Sequence, residues 1–308
     1  MTLQQLRYVL AIDRHRNFAR AAIELGITQP TLSALLQKLE AELDARIFER
    51  TNKSVAPTAI GTKIIRQAGI VISEADRIRD LIAEERGAVD GKLSLSIGPT
   101  IAPYILPKFI NVYTARYPGV ELGISEMKTD AMLAGLATGA VDIAIAISGH
   151  RAEGISEIEL YKEPFWVYMS RDCIRRLPSF RPEELEHEQM WIMKEAQCFR
   201  DSAFSFCKAK AVGHHIYEAG SIDTLVRIVD ANGGFTIIPE MHLPMLTEQQ
   251  RGNVRRIDGE YLSYRKVSIY LRDDYFRERL LNSLVDALKT FIPSSMLEPR
   301  ILRYGIRL

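Results

Sequence analysis

Gly26-Ile27-Thr28-Gln29-Pro30-Thr31-Leu32-Ser33 separates two runs of helical periodicity and sets the angle between them. Gly26 offers the positive φ of a tight turn, Thr28 a hydroxyl to cap the next helix, and Pro30 fits that helix's first turn. Working outward, apolar residues recur at Leu6, Val9 and Leu10, at Phe18, Ala21, Ala22 and Leu25, and at Leu32, Leu35, Leu36, Leu39 and Leu43. That spacing predicts three short helices over Leu3 to Leu43, the second and third forming a helix-turn-helix. The third helix turns Gln29, Thr31, Ser33, Gln37 and Lys38 away from its leucines, side chains suited to reading base edges and holding phosphate. Phe48 to Val55 reads as two short strands around a polar tip, a wing whose Arg50 and Lys53 meet a phosphate backbone. Any small helical bundle shows the same periodicity, and residues 1–58 carry only two more bases than acids. Charge therefore adds little to the reading.

The chain has 308 residues, 47% hydrophobic and 26% charged, enough for two or three compact units. A net charge of +1 excludes a globally basic nucleic-acid binder and leaves contact to a local patch. No apolar run approaches the roughly 20 residues that span a bilayer, and Met1 to Asp13 lacks a signal peptide's features. A cytoplasmic protein without membrane contact is expected. Three widely spaced cysteines make no disulfide framework, so a reducing compartment holds them as thiols at rest.

Thr58 to Val89 has no proline and places Ile64, Ala68, Val71, Ala75, Ile78 and Ile82 at alternating steps of four and three. This is a heptad seam on one long helix, which buries its stripe against a second copy or against its own chain. The dimer is the reading taken here. Beyond a hinge at Gly87 to Gly91, strands and helices alternate: Leu93 to Ile97, Pro103 to Arg116, Val120 to Glu126, Ala131 to Thr138 and Asp142 to Ile147. That is βαβ logic and predicts a mostly parallel sheet. A second group comprises Phe165 to Met169, Met190 to Met193, a helix near Asp201 to Ala209, a helix Asp223 to Asn232 and Phe235 to Pro239. The strand Val267 to Leu271 and helix Tyr275 to Phe291 return to the first group. Two α/β lobes with a ligand cleft between them follow.

Ala21-Ala22, Leu25, Thr28-Gln29-Pro30-Thr31-Leu32-Ser33, Leu39-Glu40, Leu43 and Phe48-Glu49-Arg50 together resemble the winged helix-turn-helix of LysR-type transcriptional regulators. In that family the residues at Gln29, Pro30, Thr31 and Ser33 enter the major groove. Gly98-Pro99-Thr100, Leu106-Pro107, Ser221 to Leu225 and Gly233 to Pro239 resemble the family's effector domain, itself similar to periplasmic binding proteins. The resemblance covers nearly the whole chain and implies an α+β multidomain protein: winged helix-turn-helix 1–58, dimerisation helix and hinge 59–90, and a two-lobed regulatory domain 91–299. Lobe I takes 91–163 and 268–299, lobe II 164–267, and 300–308 is a tail. It also implies promoter DNA, RNA polymerase and a homodimer or homotetramer as partners, no cofactor, and no enzymatic turnover.

Gln197-Cys198-Phe199-Arg200-Asp201 followed by Cys207 resembles the redox motif of the family's hydrogen peroxide sensors. The resemblance implies that Cys198 is oxidised by peroxide and that Cys207 resolves it to a disulfide which a cellular thiol later reduces. Nine residues apart on one helix, the two sulfurs lie about 13 Å apart along the axis, whereas a disulfide needs Cα atoms within about 7 Å. Closing the bond therefore unwinds whatever helix lies between. A helix start and Arg200 favour the Cys198 thiolate, while Cys207 lies among Phe204 and Phe206. The same resemblance places Thr100 and Arg272 around peroxide, with Thr129 and Gln197 beside them. The sensors often carry histidine where this chain has Gln197, and an amide cannot shuttle a proton at neutral pH.

Other readings remain open on sequence. The cleft of a LysR-type regulator takes a small metabolite if the cysteines are only buried hydrophobes, and a thiol peroxidase would use the same pair without a DNA-binding head. Cys173 is read as a bystander, and Trp166 and Trp191 as core. His214-His215 suggests a metal site only weakly, because adjacent side chains point apart.

Overall fold

The computed structural model describes residues 1–50, 55–85, 87, 89–176, 188–193, 215–217, 221–257 and 264–307. At the amino terminus α1 (Leu3–His15), α2 (Phe18–Glu24) and α3 (Gln29–Glu42) pack around Val9, Ile12, Ala21, Leu32, Leu36 and Leu39. Each helix starts on a polar cap. Thr2 and Gln5 close a capping box, Asn17 accepts from Arg20 N, and Thr28 accepts from Thr31 N. Gly26 has φ +64, Pro30 lies in the first turn of α3, and the turn between α2 and α3 forms as its residues predict. The wing is the antiparallel pair β1 (Phe48–Arg50) and β2 (Val55–Pro57).

The linker helix α4 (Ala59–Glu85) carries the predicted apolar seam, but its own chain covers the first half of it. Ala68 and Ile72 are buried against Leu6 of α1, with Leu10 and Val71 packed alongside. Farther on, Ile78, Leu81 and Ile82 are 63%, 51% and 49% exposed. Among the described residues of the seam, the exposed ones, Ile78 and Ile82, lie in this second half.

The regulatory domain is a mixed sheet, not the mostly parallel one expected. Strand β3 (Gly91–Ile97) lies parallel to β4 (Val120–Glu126) and β5 (Ile143–Ile147), connected through α5 (Ala102–Arg116) and α6 (Thr129–Thr138). Strand β6 runs from Ile155 to Met169, far longer than the predicted Phe165 to Met169, and belongs to both lobes. After α7 (Arg171–Arg176), β7 (Trp191–Met193) pairs in parallel with β8 (His215–Tyr217). Lobe II continues with α8 (Ile222–Asn232), β9 (Phe235–Pro239), a 3-10 helix (Glu240–Met245), α9 (Glu248–Arg251) and β10 (Val254–Arg256). The chain returns through β11 (Tyr264–Arg272) and α10 (Glu278–Lys289).

In lobe I the strand order is β4-β3-β5-β11-β6, and β11 runs antiparallel to both its neighbours. In lobe II, β9 and β10 flank the far half of β6, also antiparallel. The handover falls between Pro164, paired with Tyr264, and Phe165, paired with Pro239. Proline has no N–H to give a ladder, so a junction between two sheets is where a strand tolerates it. The tail is part of lobe I: Ile301 of α11 (Pro299–Tyr304) and Ile306 are buried in its core, and Asn282 binds the backbone of Ile306 in both directions.

Candidate DNA-reading head and interlobe site

Capping by Thr28 orients the first turn of α3. Its hydroxyl accepts from Thr31 N at 3.3 Å and lies 2.8 Å from the Thr31 hydroxyl. With Leu32, Leu36 and Leu39 in the core, Gln29, Pro30, Thr31, Gln37 and Lys38 are exposed and Ser33 is half-buried. One polar helix face is thereby presented. Glu40 Oε1 accepts from Ile47 N at 2.7 Å and Phe48 N at 3.1 Å, tying the wing to the end of α3. Exposed Arg46 lines the groove between them with Gln37, a basic residue the sequence reading did not single out. The backbone of Arg50 lies in β1, while its side chain and Lys53 fall outside the described residues.

Topology decides which predicted pocket residues meet. Thr100 follows the carboxyl end of β3 and Thr129 that of β4, each three residues beyond the paired Ile97 and Glu126. Both stand at one sheet edge, the edge where open α/β folds bind ligands. Because β11 runs antiparallel to β5, its first residues reach this edge and its last reach the opposite one. Arg265 therefore comes to Thr100. Arg272, seven positions farther along, is displaced by about 23 Å at the rise of an extended strand. The expected Thr100–Arg272 pair is not formed.

Arg265 Nη1 donates to Thr100 O at 3.1 Å and to Thr100 Oγ1 at 3.4 Å, while Nε donates to Glu163 Oε2 at 2.7 Å. The two charged side chains are 2% and 0% exposed. Glu163 Oε1 accepts from Met241 N at 2.7 Å, so the pair bridges the lobes. Its guanidinium carbon lies 5.9 Å from the centroid of the Tyr104 ring. Tyr104 grows from lobe I but is buried in the lobe II core with Tyr168, Leu225, Val226 and Ile238. Its hydroxyl lies 3.1 Å from His242 Nδ1, and the rings meet edge to face at 5.8 Å. Burial pushes the phenol well above its ordinary range, so it stays a hydroxyl at any ordinary pH. His242 is fully buried. Sequence gave no signal for Glu163, Tyr104 or His242.

Arg272 serves a different contact. Its Nη2 binds Glu74 at 2.8 Å and its Nε binds Asp274 at 3.0 Å. Arg77 on α4 binds Asp274 in turn, donates to Glu74 at 3.0 Å, and lies over the Phe276 ring at 4.9 Å. Four alternating charges thus clasp the linker helix to the turn after β11. Beside them Gly139, at φ +72, lets α6 end against α4, since a Cβ there would lie 2.0 Å from Ser73 Oγ.

Gln197, Cys198 and Cys207 lie outside the described residues, as do His214 and the expected helix near Asp201 to Ala209. Cys173 is buried, and burial pushes its thiol up to about 12, which suits a bystander. Trp166 and Trp191 are half-buried at the border of the lobe II core, donating to Glu240 Oε2 and Gly233 O. Among the described residues no group of three or more histidine, cysteine or acidic side chains is placed to hold a metal, and no helix is long and apolar enough to cross a membrane.

Two family profiles match the chain: the lysR-family bacterial regulatory helix-turn-helix over residues 3–62 and the LysR substrate binding domain over residues 86–292. A hydrogen peroxide-inducible genes activator of Dickeya chrysanthemi is 32% identical over 247 residues, covering 79% of this chain and 81% of the relative. The DNA-binding transcriptional dual regulator OxyR of Escherichia coli K12 is 30% identical, covering 82% and 83%. A solved full-length OxyR variant from Pseudomonas aeruginosa superposes with a TM-score of 0.75 at 29% identity, covering 94% of this chain and 95% of that one.

Proposed function

The chain belongs to the LysR family of bacterial helix-turn-helix regulators, and from that premise we propose that it is a peroxide-responsive regulator switched by a reversible Cys198–Cys207 disulfide. The observation that carries this reading is likeness to hydrogen peroxide-inducible genes activators over about four fifths of both chains. A cysteine pair at 198 and 207 supplies the chemistry. The Cys198 thiolate attacks one peroxide oxygen, the O–O bond breaks, and the other oxygen leaves as hydroxide and takes up a proton to become water. The sulfenic acid so formed loses its oxygen as a second water when the Cys207 sulfur displaces it, and two thiols have given two electrons to one peroxide. Two electrons from a cellular thiol reverse the bond.

Thr100 and Arg265, joined at the carboxyl edge of β3, are the donors assigned to the departing oxygen, where fixed hydrogen bonds stabilise developing charge. Thr129 shares that edge, and Gln197 adjoins the thiol in sequence. On DNA, Gln29, Pro30, Thr31 and Ser33 read the major groove, and Gln37, Lys38, Arg50 and Lys53 hold the backbone. The exposed half of α4 pairs with a second copy, which sets two heads at two half-sites. Promoter DNA, RNA polymerase and cytoplasmic thiol reductants are the partners this function requires.

Chromatin capture with and without peroxide tests the reading. Cells carrying Cys198→Ser or Cys207→Ser should lose the peroxide-dependent change in transcription at occupied promoters while occupancy persists. Full peroxide switching in Cys198→Ser cells would instead favour a regulator answering to a metabolite in the cleft.

A further inference from the structure

The 3-10 helix of lobe II grips the Arg265 assembly at two successive residues. Met241 N donates to the Glu163 carboxylate that holds Arg265, and the His242 ring meets the Tyr104 hydroxyl. Tyr104 stands one helical turn after Thr100, and its ring flanks the same guanidinium that Thr100 receives. His242 Nε2 makes no hydrogen bond among the described residues and lies 3.8 Å from Asp223 Oδ1. With the phenol locked as a hydroxyl, the favoured arrangement has Tyr104 O–H donating to Nδ1 and Nε2–H turned toward Asp223. The imidazole thereby holds the Tyr104 hydroxyl, and the Tyr104 ring lies against the Arg265 guanidinium.

We propose that His242 is a positioning residue: through Tyr104, and from across the lobe boundary, its neutral imidazole fixes the stance of the Thr100–Arg265 pair. This inference rests on the peroxide reading above and deepens it by making the reaction depend on how lobe II is seated. The groups around the imidazole are Tyr104 from α5, Arg265 from β11 and Asp223 from α8; Glu163 of β6 is taken by Arg265 and the preceding residue's backbone, Met241 N, and Glu240, on its own helix, by Trp166. Burial holds the imidazole below its ordinary range, Asp223 opposes that, and Arg265 adds to it. Protonation puts a second cation into the buried site of Arg265 and turns Nδ1 from acceptor to donor, so the Tyr104 hydroxyl must reverse.

The test is the rate of thiol loss with hydrogen peroxide, measured across pH on the reduced full chain. His242→Leu and Tyr104→Phe should react about tenfold to a hundredfold more slowly at neutral pH, the cost of slightly misplaced donors. His242→Gln, whose amide can still meet the Tyr104 hydroxyl, should recover most of the rate. It should also lose an ionisation that wild type shows on its acid limb, below the ordinary histidine value of about 6.5. Circular dichroism and DNA binding of the reduced form separate these effects from misfolding, and Tyr104→Phe is the variant that changes shape least. Wild-type rates in both His242→Leu and Tyr104→Phe, or an unchanged acid limb in His242→Gln, overturn the proposal. A wild-type chain that loses no thiols to peroxide overturns the functional reading and this inference with it.

Discussion

Replacing Glu163 with glutamine is expected to destabilise the regulatory domain by about 3–5 kcal/mol, the usual consequence of removing one partner from a buried ion pair. The magnitude follows from burial. The Arg265 and Glu163 side chains are 2% and 0% exposed, so solvent cannot take over the charge left behind. Glutamine also has one acceptor oxygen where glutamate offers two, one to Arg265 Nε and one to Met241 N. Either the guanidinium or the lobe II backbone then faces an amide N–H. For a domain of this size the loss corresponds to a fall in melting temperature on the order of 10 °C. Urea unfolding followed by tryptophan fluorescence suits the measurement, because the two tryptophans of the chain, Trp166 and Trp191, both pack at the lobe II core beside the site. The midpoint should fall at constant slope. The double variant Glu163→Leu/Arg265→Met should be more stable than Glu163→Gln, since removing both charges leaves neither stranded. A single variant within about 1 kcal/mol of wild type, or a double variant costing the sum of the singles, refutes the reasoning.

Further outcomes follow from the head, the linker and the clasp. Gln29→Ala should cost about 1–3 kcal/mol in binding to a mapped operator and leave non-specific DNA binding unchanged, read by titration at fixed salt. Ile78→Glu with Ile82→Glu should shift the chain toward monomer in sedimentation, since both side chains are exposed in the single chain. For Glu74 and Asp274, burial raises each carboxyl but the bonds and charges of Arg77 and Arg272 outweigh it, so both titrate below their ordinary values. Their contribution to stability is present above the unfolded carboxylate range of about 4 and is lost as pH falls through the lowered folded values. Arg272→Ala should therefore lower the melting temperature at neutral pH and match wild type in strong acid.

How much was legible depended on range. The turn at Gly26 to Pro30 is built from a positive φ, a cap and a first-turn proline, all local, and it forms as read. Strands Val120–Glu126 and Phe235–Pro239 are bounded by turn residues and match their predicted limits. Strand direction is not local, and this is where the reading failed. A mostly parallel sheet does not allow for a β11 that runs backwards, and the resemblance points to Arg272, whereas the antiparallel strand brings Arg265 to Thr100. Polar residues among Ile155 to Glu163, with Pro164 behind them, hid the first half of β6. His242 gave no sign because its partner, Tyr104, is 138 residues away. The heptad seam was visible, but sequence could not show that α1 covers half of it.

Counting thiols tests the central claim most directly. The reduced chain has three cysteines, and one equivalent of hydrogen peroxide should remove two of their thiols, with Cys173 remaining free. Peptide mapping should recover a single cross-link joining Cys198 to Cys207. Three surviving thiols, or a cross-link that joins two chains or includes Cys173, would contradict the account.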